Sequence, residues 1–209
     1  MPVNSADVTV IIPTIPERRE LLARAYASVL AQSLPPAATF IIDDVNREGA
    51  ATTRNKALDR VLTRWVAWLD DDDEFLPSHI EALVRGIRRS RVGMVYSYAQ
   101  FVGGRDPLAT SVDGKLVLPF GVPFGVEQRR HLREVGNFIP VTWLAETSLV
   151  KRVGGFPQPG TFTAVASGDC EDYGLLLRML DAGADFHHVP EVTWRYHFHG
   201  ANTGGRGSG

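Results

Sequence analysis

The sequence predicts an α/β fold built as one domain, with a mostly parallel, doubly wound central sheet flanked by helices. Strand-like and helix-like runs alternate four times within roughly the first hundred of its 209 residues, which is the βα rhythm of a parallel sheet. Three of the strand-like runs end on polar residues, at Pro13-Thr14, Asp43-Asp44 and the aspartates 70–73. Open α/β sheets bind ligands outside the carboxyl ends of their strands, so these ends are candidates for a site. No internal repeat or linker-like stretch divides the chain.

Residues 8–12 (VTVII) form a β-branched run closed by Pro13, and are expected as a buried strand. Pro16 and Glu17 then open a helix, with proline and acid in its first turn. Leu21, Leu22, Ala25, Val29 and Leu30 share one face of that helix until Pro35-Pro36 stops it. Residues 39–42 (TFII) are the second strand, and residues 49–62 are a glycine-led loop and a helix. Residues 65–69 (WVAWL) are the third strand, running into Asp70-Asp71-Asp72-Asp73. A Ser-capped helix over 78–89 precedes a fourth strand over 92–101. The second half is less regular. Residues 106–125 read as loops or a short hairpin, and 141–150 as a mixed apolar segment before the Gly154-Gly155-Phe156-Pro157 turn. A helix over 172–182 stops at Gly183, and 185–189 and 192–196 are expected as edge strands. The Gly/Ser-rich residues 204–209 are expected to be a flexible tail.

Hydrophobic content of 44% and charged content of 22% are ordinary for a globular protein. A formal net charge of −2 gives no reason to expect general nucleic-acid affinity. The arginines at 85, 88, 89 and 91, and at 129, 130 and 133, fall in helical runs and read as solvated faces. Cys170 is the only cysteine, which excludes an intrachain disulfide and a thiolate metal cluster. With no basic-then-apolar leader and no apolar run near the roughly 20 residues of a membrane helix, a soluble, cytoplasmic protein is expected.

Chemistry concentrates in the carboxylates. One aspartate after a strand is a common turn former, but four in succession repel one another. They form either a solvated acidic turn or a cation site. Asp70 and Asp72 lie two apart, so in extended chain they face one side and can converge on one ion. Hard oxygen ligands suit Mg²⁺ or Mn²⁺, which are typically held by a few carboxylates and substrate phosphates. Glu171-Asp172 opens the apolar helix at 172–182, where an acid can stabilise the helix terminus or accept a proton from a hydroxyl. His197 and His199 alternate about Phe198 and are candidate nitrogen ligands or diphosphate contacts.

These residues, in this order, resemble glycosyltransferase family 2, with its GT-A fold. The resemblance spans residues 8–203. Residues 8–14 resemble the opening strand and nucleotide loop, Phe40 to Asp44 the second strand, and Gly49 with Arg54-Asn55-Lys56 the Ala-Arg-Asn segment. Trp68 to Asp73 with Leu76-Pro77 resembles the DxD-type metal segment. Gly154-Gly155-Phe156 resembles the turn before the acceptor region, and Glu171-Asp172-Tyr173 the Glu-Asp pair of inverting members. Tyr196 to His199 resembles the closing Tyr-Arg-x-His segment. Ile15-Pro16 replaces an aromatic and Asn, and His197 replaces an arginine.

The resemblance implies a metal-dependent inverting transfer of a sugar from a nucleoside diphosphate sugar, UDP-linked by default, to a hydroxyl acceptor. It implies donor contacts at Pro13, Thr14, Glu17, Asp44, Arg54, Asp70 and Asp71, and Mn²⁺ or Mg²⁺ on Asp72 with Asp70 and His199. Asp172 is the implied base, with Glu171 and Asn137 on the acceptor side, and Asp73 is read as closing the turn. Residues 1–100 are the implied nucleotide-binding half of a domain covering 1–203, and 101–203 the acceptor half. A sugar-nucleotide-forming nucleotidyltransferase is the enzymatic alternative, though it normally needs a Gly-rich loop where Pro13-Thr14-Ile15-Pro16 stands. A non-catalytic nucleotide-sugar-binding module is the other. A P-loop enzyme is excluded, since no GxxxxGK[ST] occurs.

Overall fold

A computed structural model of the chain describes residues 6–90, 92–104, 110–112, 115–117, 124–158, 161 and 170–198. Strand β1 (Ala6–Thr14) lies between the parallel strands β2 (Pro36–Asp43) and β3 (Trp65–Trp68). Helices α1 (Arg19–Leu30), preceded by a 3₁₀ turn at Pro16–Arg18, and α2 (Ala50–Leu58) provide the crossovers. The chain continues through β4 (Glu74–Phe75), α3 (His79–Ser90), β5 (Met94–Val102) and a hairpin of β6 (Thr110–Val112) and β7 (Lys115–Val117). It finishes with α4 (Val126–Glu134), β8 (Trp143–Glu146), α5 (Thr147–Arg152), α6 (Glu171–Asp181) and β9 (Phe186–His197).

Seven strands form the main sheet in the order β2-β1-β3-β8-β5-β9-β4. β8 and β4 run against the other five, so the sheet is mostly parallel. The segment expected only as mixed apolar, 141–150, thus contributes β8, inserted antiparallel between β3 and β5 and followed at once by α5.

Strand alternation divides the core in two. Val8, Val10 and Ile12 of β1 pack with Ala67, Val95 and Leu144 beneath α1 and α3. Ile11, Trp68, Met94 and Trp143 point the other way, against residues of α2, α4, α5 and α6. α6 ends in a glycine-closed turn. Gly183 adopts φ +80, and Ala184 N–H donates to the Met179 carbonyl at 3.0 Å, a close no side chain could share without strain.

The two edge strands expected at 185–189 and 192–196 are one strand, β9, which lies inside the sheet between β5 and β4. Its pairing with β5 shifts register between Ser97 and Tyr98 and again between Tyr98 and Ala99. Pro190 brings no N–H to the ladder, and a bulge accommodates it. Thr193, displaced by the second shift, bonds His79 Nδ1 at 2.7 Å and Ser97 Oγ at 2.6 Å in the interior.

This topology sets the site. The chain leaves β3 in the middle of the sheet and next pairs as β4 on its far edge. Asp70 to Asp73 therefore run along the carboxyl ends of the parallel strands. Gln32, from the end of α1, ties down the far side of this crossing, donating to the Leu76 carbonyl at 2.8 Å and accepting from Ile80 N–H at the start of α3 at 3.0 Å.

Candidate active site

The ends of β1 and β2 form the first wall. Asp44 N–H donates to the Thr14 carbonyl at 2.8 Å, extending the strand pairing by one step. The buried Asp44 carboxylate accepts the N–H groups of Glu48 and Gly49, both at 2.8 Å. Burial pushes its pKa up, but those two N–H groups, the Thr53 hydroxyl and Lys56 outweigh it and hold the group below its ordinary value. Thr14 Oγ1 donates to Asp71 Oδ2 at 2.7 Å, and Arg18 Nη1 donates to Asp71 Oδ1 at 2.9 Å and reaches Asp72 Oδ2 at 3.4 Å. Asp71 is thereby turned toward β1 and the 3₁₀ turn, away from its neighbours.

The other three aspartates converge. Oxygens of Asp70, Asp72 and Asp73 lie within 4.8 Å of one another. Burial, then the charges of Asp70 and Asp72, push Asp73 up to about 9 against the opposing His197 N–H and Arg24. Asp70 is raised to about 6, chiefly by burial, with Arg54 pulling it down and Asp72 and Glu171 pushing it up. Three carboxyl groups that oppose one another's ionisation offer hard oxygen donors that fit a divalent cation. The backbone around them is fixed: Asp73 N–H closes a turn on the Asp70 carbonyl at 3.1 Å, and Arg24 Nη2 donates to the Asp72 carbonyl at 2.7 Å. From β9, His197 N–H donates to Asp73 Oδ1 at 2.9 Å while its Nε2 meets Glu74 Oε1 at 2.7 Å.

Arg54 of α2 joins this cluster to the start of α6. It is 4% exposed, donating from Nη2 to Asp70 Oδ1 at 2.6 Å and from Nη1 to Glu171 Oε1 at 2.5 Å. Desolvation works against its charge, but Asp70 and Glu171 more than compensate and raise its pKa. Beside Glu171, Asp172 is half-buried and its Oδ1 accepts Tyr173 N–H at 2.7 Å. Its pKa is raised by burial and by Glu171, against the Cys170 thiol and Arg54. A carboxylate of raised basicity beside this acidic cluster suits proton abstraction from a hydroxyl.

The sequence profile described as "Glycosyl transferase family 2" matches residues 41–153, which is more than half of the chain and includes the whole acidic cluster and Arg54. The chain belongs to glycosyl transferase family 2. Solved structures share its fold. S. aureus TarS 1–349 superposes with a TM-score of 0.68 at 15% identity, covering 92% of this chain and 60% of its own. The same fragment in complex with UDP-GlcNAc gives 0.67 at 15% identity, covering 93% and 59%. The mannosyltransferase PcManGT from Pyrobaculum calidifontis, in complex with GDP-Man and Mn2+, gives 0.60 at 17% identity, covering 94% and 60%. The chain thus spans about three-fifths of these structures' lengths. No curated protein sequence matches it significantly.

Within this family 2 domain, Thr14, Asp44, Arg54, Asp70, Asp71, Asp72 and Glu171 are brought together by the contacts above, and Asp172 stands beside Glu171 within the field of Arg54. Pro13 lies in β1 opposite Ile42. Glu17 is exposed and pairs with Arg47 at 2.6 Å. Asn137 Oδ1 accepts Ile139 N–H at 2.9 Å. His199 lies outside the described residues. Three participants were not anticipated. Asp73, expected only to close the turn, also brings its carboxylate into the cluster. Arg18 and Arg24 bring positive charge to the acidic segment from the 3₁₀ turn and α1. Nothing in the sequence near Arg18 or Arg24 marks them, because their partners lie about fifty residues away.

Proposed function

We propose that the protein is a metal-dependent, inverting glycosyltransferase that moves a sugar from a nucleoside diphosphate sugar to an acceptor hydroxyl. The observation that carries this reading is the buried Arg54, which ties Asp70 of the acidic cluster to Glu171, next to Asp172, on the carboxyl edge of the sheet. Family membership supports the reaction class. The UDP-GlcNAc and GDP-Man complexes of TarS and PcManGT support a nucleotide-linked donor, and we favour UDP.

Mn²⁺ or Mg²⁺ on Asp70, Asp72 and Asp73 would offset the charge of the departing diphosphate. The nucleotide lies against Thr14, Asp44 and Asp71 at the ends of β1, β2 and β3, with residues 1–100 forming the donor half and 101–203 the acceptor half. Asp172 takes the proton of the acceptor hydroxyl. The acceptor oxygen bonds to the anomeric carbon as the bond from that carbon to the diphosphate oxygen breaks on the opposite face, so the anomeric configuration inverts. Arg54 pairs with Asp70 and with Glu171, and so ties the start of α6, where Asp172 stands, to the acidic cluster.

Donor turnover measured with and without Mn²⁺ tests this reading. Turnover should require the metal, and should fall by about 10²-fold or more in Asp172→Asn, the usual scale for a general base. Asp72→Ala should abolish the metal response. Full activity in either variant overturns the corresponding role.

A further inference from the structure

Two motifs on opposite sides of the chain's midpoint, Arg54-Asn55 and Gly154-Gly155-Phe156, meet in the structure. Asn55 grips Phe156 with both ends of its amide: Nδ2 donates to the Phe156 carbonyl at 2.8 Å and Oδ1 accepts the Phe156 N–H at 2.9 Å. Gly155 makes the grip possible. It holds φ +66, and a Cβ there would lie 2.4 Å from Asn55 Oδ1. The Phe156 ring packs against Trp68, edge to face at 5.3 Å, and against Trp143 at 6.4 Å between centroids. The Arg54 guanidinium lies over the same ring, 5.3 Å from its centroid.

We propose that Asn55 and the Gly155-Phe156 turn are a positioning device that sets the Arg54 guanidinium, and through it the carboxylates of Asp70 and Glu171. Arg54 and Asn55 are consecutive in α2, so the helix delivers the guanidinium and the amide that secures its platform together. The side chain that bridges the two acidic segments is thus held by stacking on a ring whose own backbone is clamped. Arg54 has few alternatives: a long, entropy-rich side chain fixed at both Nη atoms needs such a support to keep one rotamer. The inference rests on the reading of Asp70 as a cation ligand, and its test separates the two.

Calorimetric titration of Mn²⁺ into the whole chain is the first readout. Asn55→Ala and Phe156→Leu should each weaken binding by about 10-fold. In an Arg54→Met background, where no guanidinium remains to be placed, Asn55→Ala should add less than about 2-fold, because coupled residues are not additive. Equal effects of Asn55→Ala in both backgrounds, or a lowered melting temperature with unchanged Mn²⁺ affinity, overturn the proposal. Hydrogen exchange of the metal-free protein is the second readout. Asn55→Ala should speed exchange over residues 70–73 and 171–174 and leave β1 and α3 unchanged. If wild-type protein takes up no Mn²⁺, the cation reading fails, and the exchange pattern alone decides the positioning role. Uniform acceleration, or none, rejects it.

Discussion

Replacing Arg54 by Met retains the bulk of the side chain and removes the charge that two carboxylates depend on. The side chain of Arg54 is 5% exposed, while those of Asp70 and Glu171 are 32% and 21% exposed. Removing one member of a buried ion pair costs roughly 3–5 kcal/mol, because the partner is left charged and desolvated. Partial exposure lets water relieve Asp70 and Glu171, so we expect about 2–3 kcal/mol, still above the ~1 kcal/mol ceiling of surface pairs. For a chain of this length that is a melting-temperature drop of roughly 4–12 °C. The loss should be largest without metal. Saturating Mn²⁺ should restore part of it by taking up the charge on Asp70, to an extent set by [Mn²⁺] over its Kd. Urea denaturation of Arg54→Met with and without Mn²⁺ measures both quantities. A loss below about 0.5 kcal/mol, the value of an exposed ion pair, would refute the claim that Arg54 holds the two acidic segments together.

Two further outcomes follow from buried ionisable groups. Asp73 is raised to about 9, so the metal-free protein carries a proton there at pH 7.5 that a cation must displace. Mn²⁺ titrations in buffers of different ionisation enthalpy should show release of about one proton per ion, and none would contradict the ligand role of Asp73. His79 is fully buried, bonded through Nδ1 to Thr193, and burial depresses it from 6.5 to about 3. The unfolded chain therefore binds a proton that the folded one does not. The stability His79 contributes is intact above pH 6.5 and is lost as pH falls toward 3, by about 2 kcal/mol at pH 5. His79→Asn, which can keep the Thr193 bond and cannot titrate, should lose that much less between pH 7 and 5. An identical pH slope would show that His79 does not contribute.

Much of this architecture was legible because it is local. Residues 8–12, 39–42 and 65–69 each carry enough β-branched or aromatic bulk to mark a strand, and each ends at the polar residues that line the carboxyl edge. Asp70 and Asp72 stood out as a pair from spacing alone. What remained hidden depends on contacts distant in sequence. β8 is only four residues, Trp143–Glu146, and its pairing with β3 on one side and β5 on the other is what reveals a strand in the middle of the sheet. β9 looked like two strands because Pro190 interrupts its pattern, although the bulge absorbs the interruption. The partners of Arg54 lie 16 and 117 residues away, so no pattern near Arg54 announces them. Asp73 was underrated for a similar reason: its second bond comes from His197, across the sheet edge that β4 and β9 form.

The most direct test of the central claim is the position of the cation in crystals grown with Mn²⁺ and UDP. The account predicts one anomalous-scattering peak among the carboxylates of Asp70, Asp72 and Asp73, with metal–oxygen distances of roughly 2.0–2.6 Å and the diphosphate of UDP completing its coordination. A peak elsewhere, or UDP bound at the strand ends with no metal between it and these aspartates, would contradict it.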